Sequence, residues 1–92
     1  MKGEDARAEQ VIKNVGARIA QLRHERGWTQ LELAERLGIE VQSLQRIERG
    51  TNFTIRSLVK IAQAFDVAPE ALFEKGAERK PRPGRPRKSD EG

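Results

Sequence analysis

Two short helical patterns separated by only three residues constrain this chain more than any other feature of its sequence. The first, residues 30–37, follows Thr29-x-x-Glu32, a capping-box pattern in which two side chains satisfy free backbone amides. The second spans about residues 41–49, and Gly38-Ile39-Glu40 links the two. Helices joined by so short a link cannot lie antiparallel, so they cross at a wide angle. The spacing therefore predicts a helix-turn-helix at about residues 29–49.

Apolar residues recur at three- and four-residue steps on both sides of this pair, which predicts further amphipathic helices. The first predicted helix presents Ala8, Val11, Ile12, Val15, Ile19 and Leu22, and Gly27 ends it. A fourth helix begins after Thr54 and buries Leu58, Ile61, Ala62 and Phe65. Pro69 opens a short fifth helix, at a first-turn position that suits proline. Since no strand pattern appears, the predicted fold is all-α with five helices.

The chain length of 92 residues allows a single domain. We expect residues 1–7 to form a flexible, polar N-terminus and residues 8–76 to form the folded domain. Residues 77–92 contain three prolines among their arginines, a composition that prevents a helix. This last segment is predicted to be a disordered, extended tail.

The charge of the chain is unevenly distributed. Residues 1–74 carry 11 basic and 11 acidic side chains, whereas residues 75–88 carry seven basic side chains and one acidic one. A neutral body with a concentrated basic tail indicates a polyanionic partner. The charge distribution gives equal support to an alternative, in which the tail is solvated and only aids solubility.

Composition excludes several functional classes. Cysteine is absent and His24 is the only histidine, which excludes disulfides, thiolate nucleophiles and zinc sites built from these residues. The longest apolar run has three residues, so neither a membrane span nor a secretory signal is expected. No constellation suited to catalysis is present, so we expect neither an enzyme nor a cofactor. A reducing cytoplasm is the expected compartment.

The helix pattern resembles the Cro/C1-type, or Xre-like, helix-turn-helix family of bacterial and phage regulators. The resemblance covers residues 11–74 and follows the order and spacing of the family. Its motifs are Val15-Gly16-x-Arg18-Ile19-x-x-Leu22-Arg23, Gly27-Trp28-Thr29-Gln30-x-Glu32-Leu33-Ala34, Leu37-Gly38-Ile39, Ile47-Glu48-Arg49-Gly50 and Leu58-x-x-Ile61-Ala62. It implies a compact, lambda-repressor-like domain of five helices, in a cytoplasmic and nucleoid-associated bacterial or phage protein.

The resemblance also implies a DNA-binding surface. Gln30 matches a glutamine that anchors a phosphate beside the groove, and the third helix matches the helix that faces bases. The remaining positions that match base, phosphate or minor-groove contacts are Glu40, Val41, Gln42, Ser43, Arg46, Arg49, Thr51, Asn52 and Arg56.

Three residues at or within helix three depart from the family pattern. Glu40 stands where a Ser, Thr or Asp usually caps the helix, Val41 replaces a polar base-reading residue, and Gln45 replaces a small one. A carboxylate at position 40 suits the helix dipole but repels phosphate unless it accepts a hydrogen bond from a cytosine amine. The base preferences of relatives therefore cannot be transferred to this chain.

Two structural features are also implied by the family pattern. Arg23 and Glu48, which otherwise look like surface charges, match a structural ion pair. The apolar residues after helix four match the surface through which relatives pair, which implies a homodimer. These candidate interface residues are Val67, Ala68, Ala71 and Leu72.

The tail resembles an AT-hook, a Gly-Arg-Pro segment that lies in the minor groove of A·T-rich DNA. Pro83 stands directly before the glycine, where an arginine is usual. The sequence leaves three roles of the tail open: minor-groove insertion, phosphate binding without sequence preference, and simple solubility. The candidate DNA-binding residues of the tail are Arg82, Gly84, Arg85, Arg87 and Lys88.

Taken with the resemblance, these features predict a sequence-specific transcription regulator that binds double-stranded DNA, acting as a dimeric repressor. One alternative is an antitoxin-type autoregulator with a toxin partner, and an anti-repressor is another possible protein partner. A second alternative is a protein-interaction module that has lost DNA binding. Glu40, Val41 and the neutral body favour the module, whereas Gln30, Arg46 and the basic tail oppose it.

Overall fold

The computed structural model describes residues 2–74, which form four α-helices and one 3₁₀ helix with no strand among them. The elements are α1 (Lys2–Glu25), α2 (Gln30–Leu37), α3 (Val41–Arg49), α4 (Ile55–Phe65) and a 3₁₀ helix (Pro69–Phe73). The all-α prediction is confirmed for this part of the chain, and α2 and α3 have the predicted bounds.

Two predicted elements differ in the structure. The N-terminus expected to be flexible is helical from Lys2, and Ala6 and Ala8 are strong helix formers that favour this extension. The fifth helix is a 3₁₀ helix, because its amides bond to carbonyls three residues back, as the Ala71 amide does to the Ala68 carbonyl at 2.9 Å. A segment of five residues is too short to gain much from α-helical bonding.

Local side chains and glycines define the ends of the two central helices. The Thr29 hydroxyl accepts from the Glu32 amide at 3.0 Å, and the Glu32 carboxylate accepts from the Thr29 amide at 2.8 Å. Gly38 and Gly50 end α2 and α3 with φ values of 72° and 112°, a left-handed conformation that glycine adopts without a Cβ clash. Glu40 begins α3 without a side-chain capping bond.

The core lies where one face of each element meets the others, with α3 packed across α1 and α2. Trp28, which precedes α2, is half-buried and stacks on Phe65 with ring centroids 5.5 Å apart. The Arg36 guanidinium lies 4.0 Å above the same indole. The largest fully buried side chains are Ile19, Leu33, Leu44, Ile61, Phe65 and Leu72.

The predicted tail, residues 77–92, lies outside the described residues, as do its candidate DNA-binding positions. Among residues 2–74, no helix combines the length and apolar character that a bilayer crossing requires.

Candidate nucleic-acid interface

Helix α3 presents a polar outer face above an apolar inner one. Leu44 and Ile47 are buried against the core, and the short Gly38-Ile39-Glu40 turn holds the helix across α2. On the other side, Gln42, Arg46 and Arg49 are exposed, while Val41 and Ser43 are half-buried. The outer face therefore offers amide, guanidinium and hydroxyl groups, the groups that bond base edges and phosphates.

Gln30, the first residue of α2, is partly engaged within the protein. Its Nε2 donates to Glu48 Oε1 at 2.9 Å, and its Oε1 accepts from Gln45 Nε2 at 3.3 Å. An amide has two N–H groups and two acceptor lone pairs, so each end of Gln30 keeps capacity for one further bond. Gln30 thus links α2 to α3 and keeps one N–H that can donate to a further acceptor.

Arg23 and Glu48 form a two-bond ion pair between α1 and α3. The distance from Arg23 Nε to Glu48 Oε2 is 2.8 Å, and that from Nη2 to Oε1 is 3.1 Å. The two side chains are only 9% and 6% exposed, and Arg23 Nη1 also donates to the Trp28 carbonyl at 3.0 Å. The structure therefore brings together the two charges that the family pattern pairs.

The other candidate contacts surround α3. Thr51 and Asn52 are exposed in the segment after α3, and the Thr51 amide donates to the Arg46 carbonyl at 2.9 Å. Arg56 is exposed in the first turn of α4, and Glu40 is exposed at the start of α3. These positions are accessible to a ligand that approaches the outer face of α3.

One residue predicted for the dimer surface is not available to a partner. Leu72 is 0% exposed, because the 3₁₀ helix packs against α1 and α4 and turns this side chain into the core. Arg18 holds that helix in place by donating from Nε to the Ala71 carbonyl at 3.1 Å. Of the other predicted residues, Ala68 is exposed, while Val67 and Ala71 are half-buried.

An open apolar groove of about 120 Å³ lies beside the 3₁₀ helix, between α1 and α4. We call it the α1–α4 groove. Sequence reasoning did not find it, because its lining comes from α1, α4, the 3₁₀ helix and the segment between α3 and α4. The exposed apolar residues that line it are Val11, Ile55 and Phe73.

Sequence reasoning also did not assign Gln45 a place in the site. Its bond to Gln30 joins positions 15 residues apart in different helices, and no local pattern signals it.

As for metals, no group of three His, Cys, Asp or Glu residues within the described part of the chain could hold an ion.

The short turn, the buried face of α3 and its polar outer face together define a helix-turn-helix domain. Residues 19–72 match the sequence model of a helix-turn-helix family. The chain belongs to this family.

Known relatives agree with that placement. The transcriptional regulator SinR of Bacillus subtilis is 39% identical over 62 residues, which are 65% of this chain and 56% of SinR. This chain thus spans little more than half the length of that relative. This similarity to a transcriptional regulator does not favour the antitoxin or interaction-module alternatives.

Two solved structures share the fold. The restriction-modification controller protein C.AhdI of Aeromonas hydrophila has a TM-score of 0.65 and 32% identity, covering 67% of this chain and 96% of C.AhdI. The structure of the biofilm regulator SinR in complex with DNA has a TM-score of 0.61 and 39% identity, covering 65% of this chain and 98% of that one.

Proposed function

We propose that this protein is a sequence-specific DNA-binding transcription regulator, acting as a repressor, with α3 as its major-groove helix. The observation that carries the proposal is the orientation of α3, whose apolar face is buried while Gln42 and Arg46 face outward. A helix of nine residues presented in this way fits a major groove. The similarity to SinR in complex with DNA supports the same function.

Each candidate residue then has a chemical role. Gln42 pairs through its amide with adenine N6 and N7, Val41 packs on a thymine methyl group, and Arg46 reaches guanine O6 and N7. Glu40 accepts from a cytosine amine, and Ser43 bonds an adjacent base or phosphate. Phosphate contacts come from Gln30, Arg49, Thr51, Asn52 and Arg56.

The proposed homodimer follows from the size of this surface, because one short recognition helix contacts only a few base pairs. Two copies would place their α3 helices about one helical turn apart, ~34 Å, on inverted half-sites. Val67, Ala68 and Ala71 stay in the proposed interface, and the exposed apolar residues of the α1–α4 groove extend it.

The basic tail supplies affinity in this proposal, through phosphate contacts or through minor-groove insertion of its Gly-Arg-Pro segment. The body of residues 1–74 has equal numbers of acidic and basic side chains and gains little from long-range attraction to DNA. A regulator of this kind acts in the cytoplasm, at the nucleoid.

Selection of bound sequences from a random DNA pool tests the proposal. We expect the protein to enrich one inverted-repeat motif, and Gln42→Ala to lose ~1–3 kcal/mol of binding free energy and its preference at one base pair per half-site. Gln63→Ala, an exposed glutamine on α4, is the matched control and should keep the full motif. A pool that stays random after selection would overturn the proposal.

A further inference from the structure

A hydrogen-bonded network of side chains links α1, α2 and α3, and its members are Arg23, Glu48, Gln30 and Gln45. Donor and acceptor chemistry fixes which group donates in each of its bonds. Glu48 is bound by Arg23, and a carboxylate can only accept hydrogen bonds. The Gln30 group that faces Glu48 must therefore be its NH₂, at 2.9 Å. This orientation turns the Gln30 carbonyl oxygen toward Gln45.

The direction continues into α3. Because Gln30 presents a carbonyl oxygen, Gln45 must donate to it through Nε2, at the observed 3.3 Å. The buried ion pair thus orients the amide of a recognition-helix residue through Gln30. Gln45 keeps its own carbonyl oxygen and one N–H, the two groups that pair together with adenine N6 and N7.

The position of Gln45 on α3 suits such a role. It lies three residues after Gln42 and four after Val41, so the three share one face of the helix. Its side chain is half-buried, with one side against Gln30, which restricts its rotamers before any ligand arrives. An oriented amide discriminates between bases better than a freely rotating one, because the exchange of its N and O positions is prevented.

We propose that Gln45 is a specificity-determining residue that binds an adenine edge in the major groove, with Gln30 as the residue that positions its amide. The inference rests on the proposed function and adds a contact that the family pattern does not supply, since small residues are usual at this position. It assigns Gln30 a second role beside its phosphate contact.

The test measures binding of the wild type, Gln45→Ala, Gln30→Ala and Gln63→Ala to the motif that the wild type selects, and to all its single-base variants. We expect Gln45→Ala to lose an adenine preference of about 5- to 150-fold at one base pair per half-site, with the other positions unchanged. Gln30→Ala should weaken binding to every sequence and also reduce the discrimination at the Gln45 base pair. Gln63→Ala should match the wild type.

The possible failures are distinguishable. If the wild type selects no motif, the proposed function fails. If it selects a motif and Gln45→Ala keeps the same discrimination at every base pair, or loses affinity equally on all sequences, the role of Gln45 is wrong while the proposed function stands. If Gln45→Ala behaves as expected but Gln30→Ala keeps full discrimination, the positioning role of Gln30 is wrong. Thermal unfolding of each variant shows that the comparison is made between folded proteins.

Discussion

Gly16 of α1 lies directly against the backbone of Glu48 in α3. A Cβ at position 16 would overlap the Ile47 carbonyl oxygen and lie 2.7 Å from that of Glu48. Only a residue without a side chain permits this approach, which brings α1 close enough for the Arg23–Glu48 ion pair to form beside it. Gly16 therefore positions α3, the helix on which the proposed DNA contacts lie.

We expect Gly16→Ala to destabilise the protein by ~1–3 kcal/mol, because the obstructing atoms are backbone and cannot rotate away. Gly3→Ala is the matched control, since a Cβ there would have nothing within 4 Å, and its helical position should gain up to ~1 kcal/mol. Chemical denaturation measures both free energies of unfolding. Equal effects of the two substitutions would show that α1 and α3 can separate at no cost.

Glu48→Gln should destabilise the fold by ~3–5 kcal/mol, because it leaves the buried Arg23 guanidinium without its counter-charge. Glu74→Gln is the control, since Glu74 pairs with Arg18 at 3.4 Å but is 55% exposed. Solvent screening limits such a pair to ~0–1 kcal/mol. Melting curves of the two variants give the comparison, and an unchanged melting temperature for Glu48→Gln would contradict a structural role for the pair.

The proposed homodimer predicts an effect of a charge in the α1–α4 groove. Phe73→Glu should raise the dimer dissociation constant at least about tenfold, because a carboxylate would have to be desolvated on association. Leu31→Glu is a matched control: Leu31 and Phe73 are 54% and 50% exposed, and Leu31 lies on α2, away from the groove. Sedimentation without DNA measures both. A wild type that stays monomeric both free and on its selected DNA would refute the dimer.

Deletion of residues 77–92 should weaken DNA binding at low salt while the ranking of DNA sequences is kept. For every phosphate that the shortened chain no longer neutralises, the slope of log affinity against log salt concentration flattens by ~0.9. Binding isotherms at several salt concentrations measure this slope. An unchanged slope would leave the tail without a role on DNA.

Minor-groove insertion of the tail has its own test. Arg85→Ala should then weaken binding to operators flanked by A·T pairs more than to those flanked by G·C pairs, because the A·T minor groove is narrow and electronegative. Arg79→Ala, outside the Gly-Arg-Pro segment, is the control for loss of one positive charge. Equal losses on both kinds of operator would leave phosphate binding alone.

Local sequence determined α2, α3 and α4 of this protein and the ends of α2 and α3. The Thr29–Glu32 capping box and the left-handed glycines at positions 38 and 50 act within a few residues of the chain, so their effects can be predicted without the fold. The three- and four-residue recurrence of apolar side chains likewise identified most of the buried faces, although Ala8 and Val11 on the predicted apolar face of α1 are exposed. The pairing of Arg23 with Glu48 was predicted from the family pattern, because local periodicity carries no information about it.

Tertiary structure alone decided which side chains from different elements meet. Leu72 looked like a surface residue in sequence, yet the packing of the 3₁₀ helix against α1 and α4 buries it. The Gln30–Gln45 bond and the contact of Gly16 with Glu48 depend on how closely helices approach and at what angle they cross. Periodicity states which face of a helix is buried, but the partner that covers it is set by the packing of the whole domain.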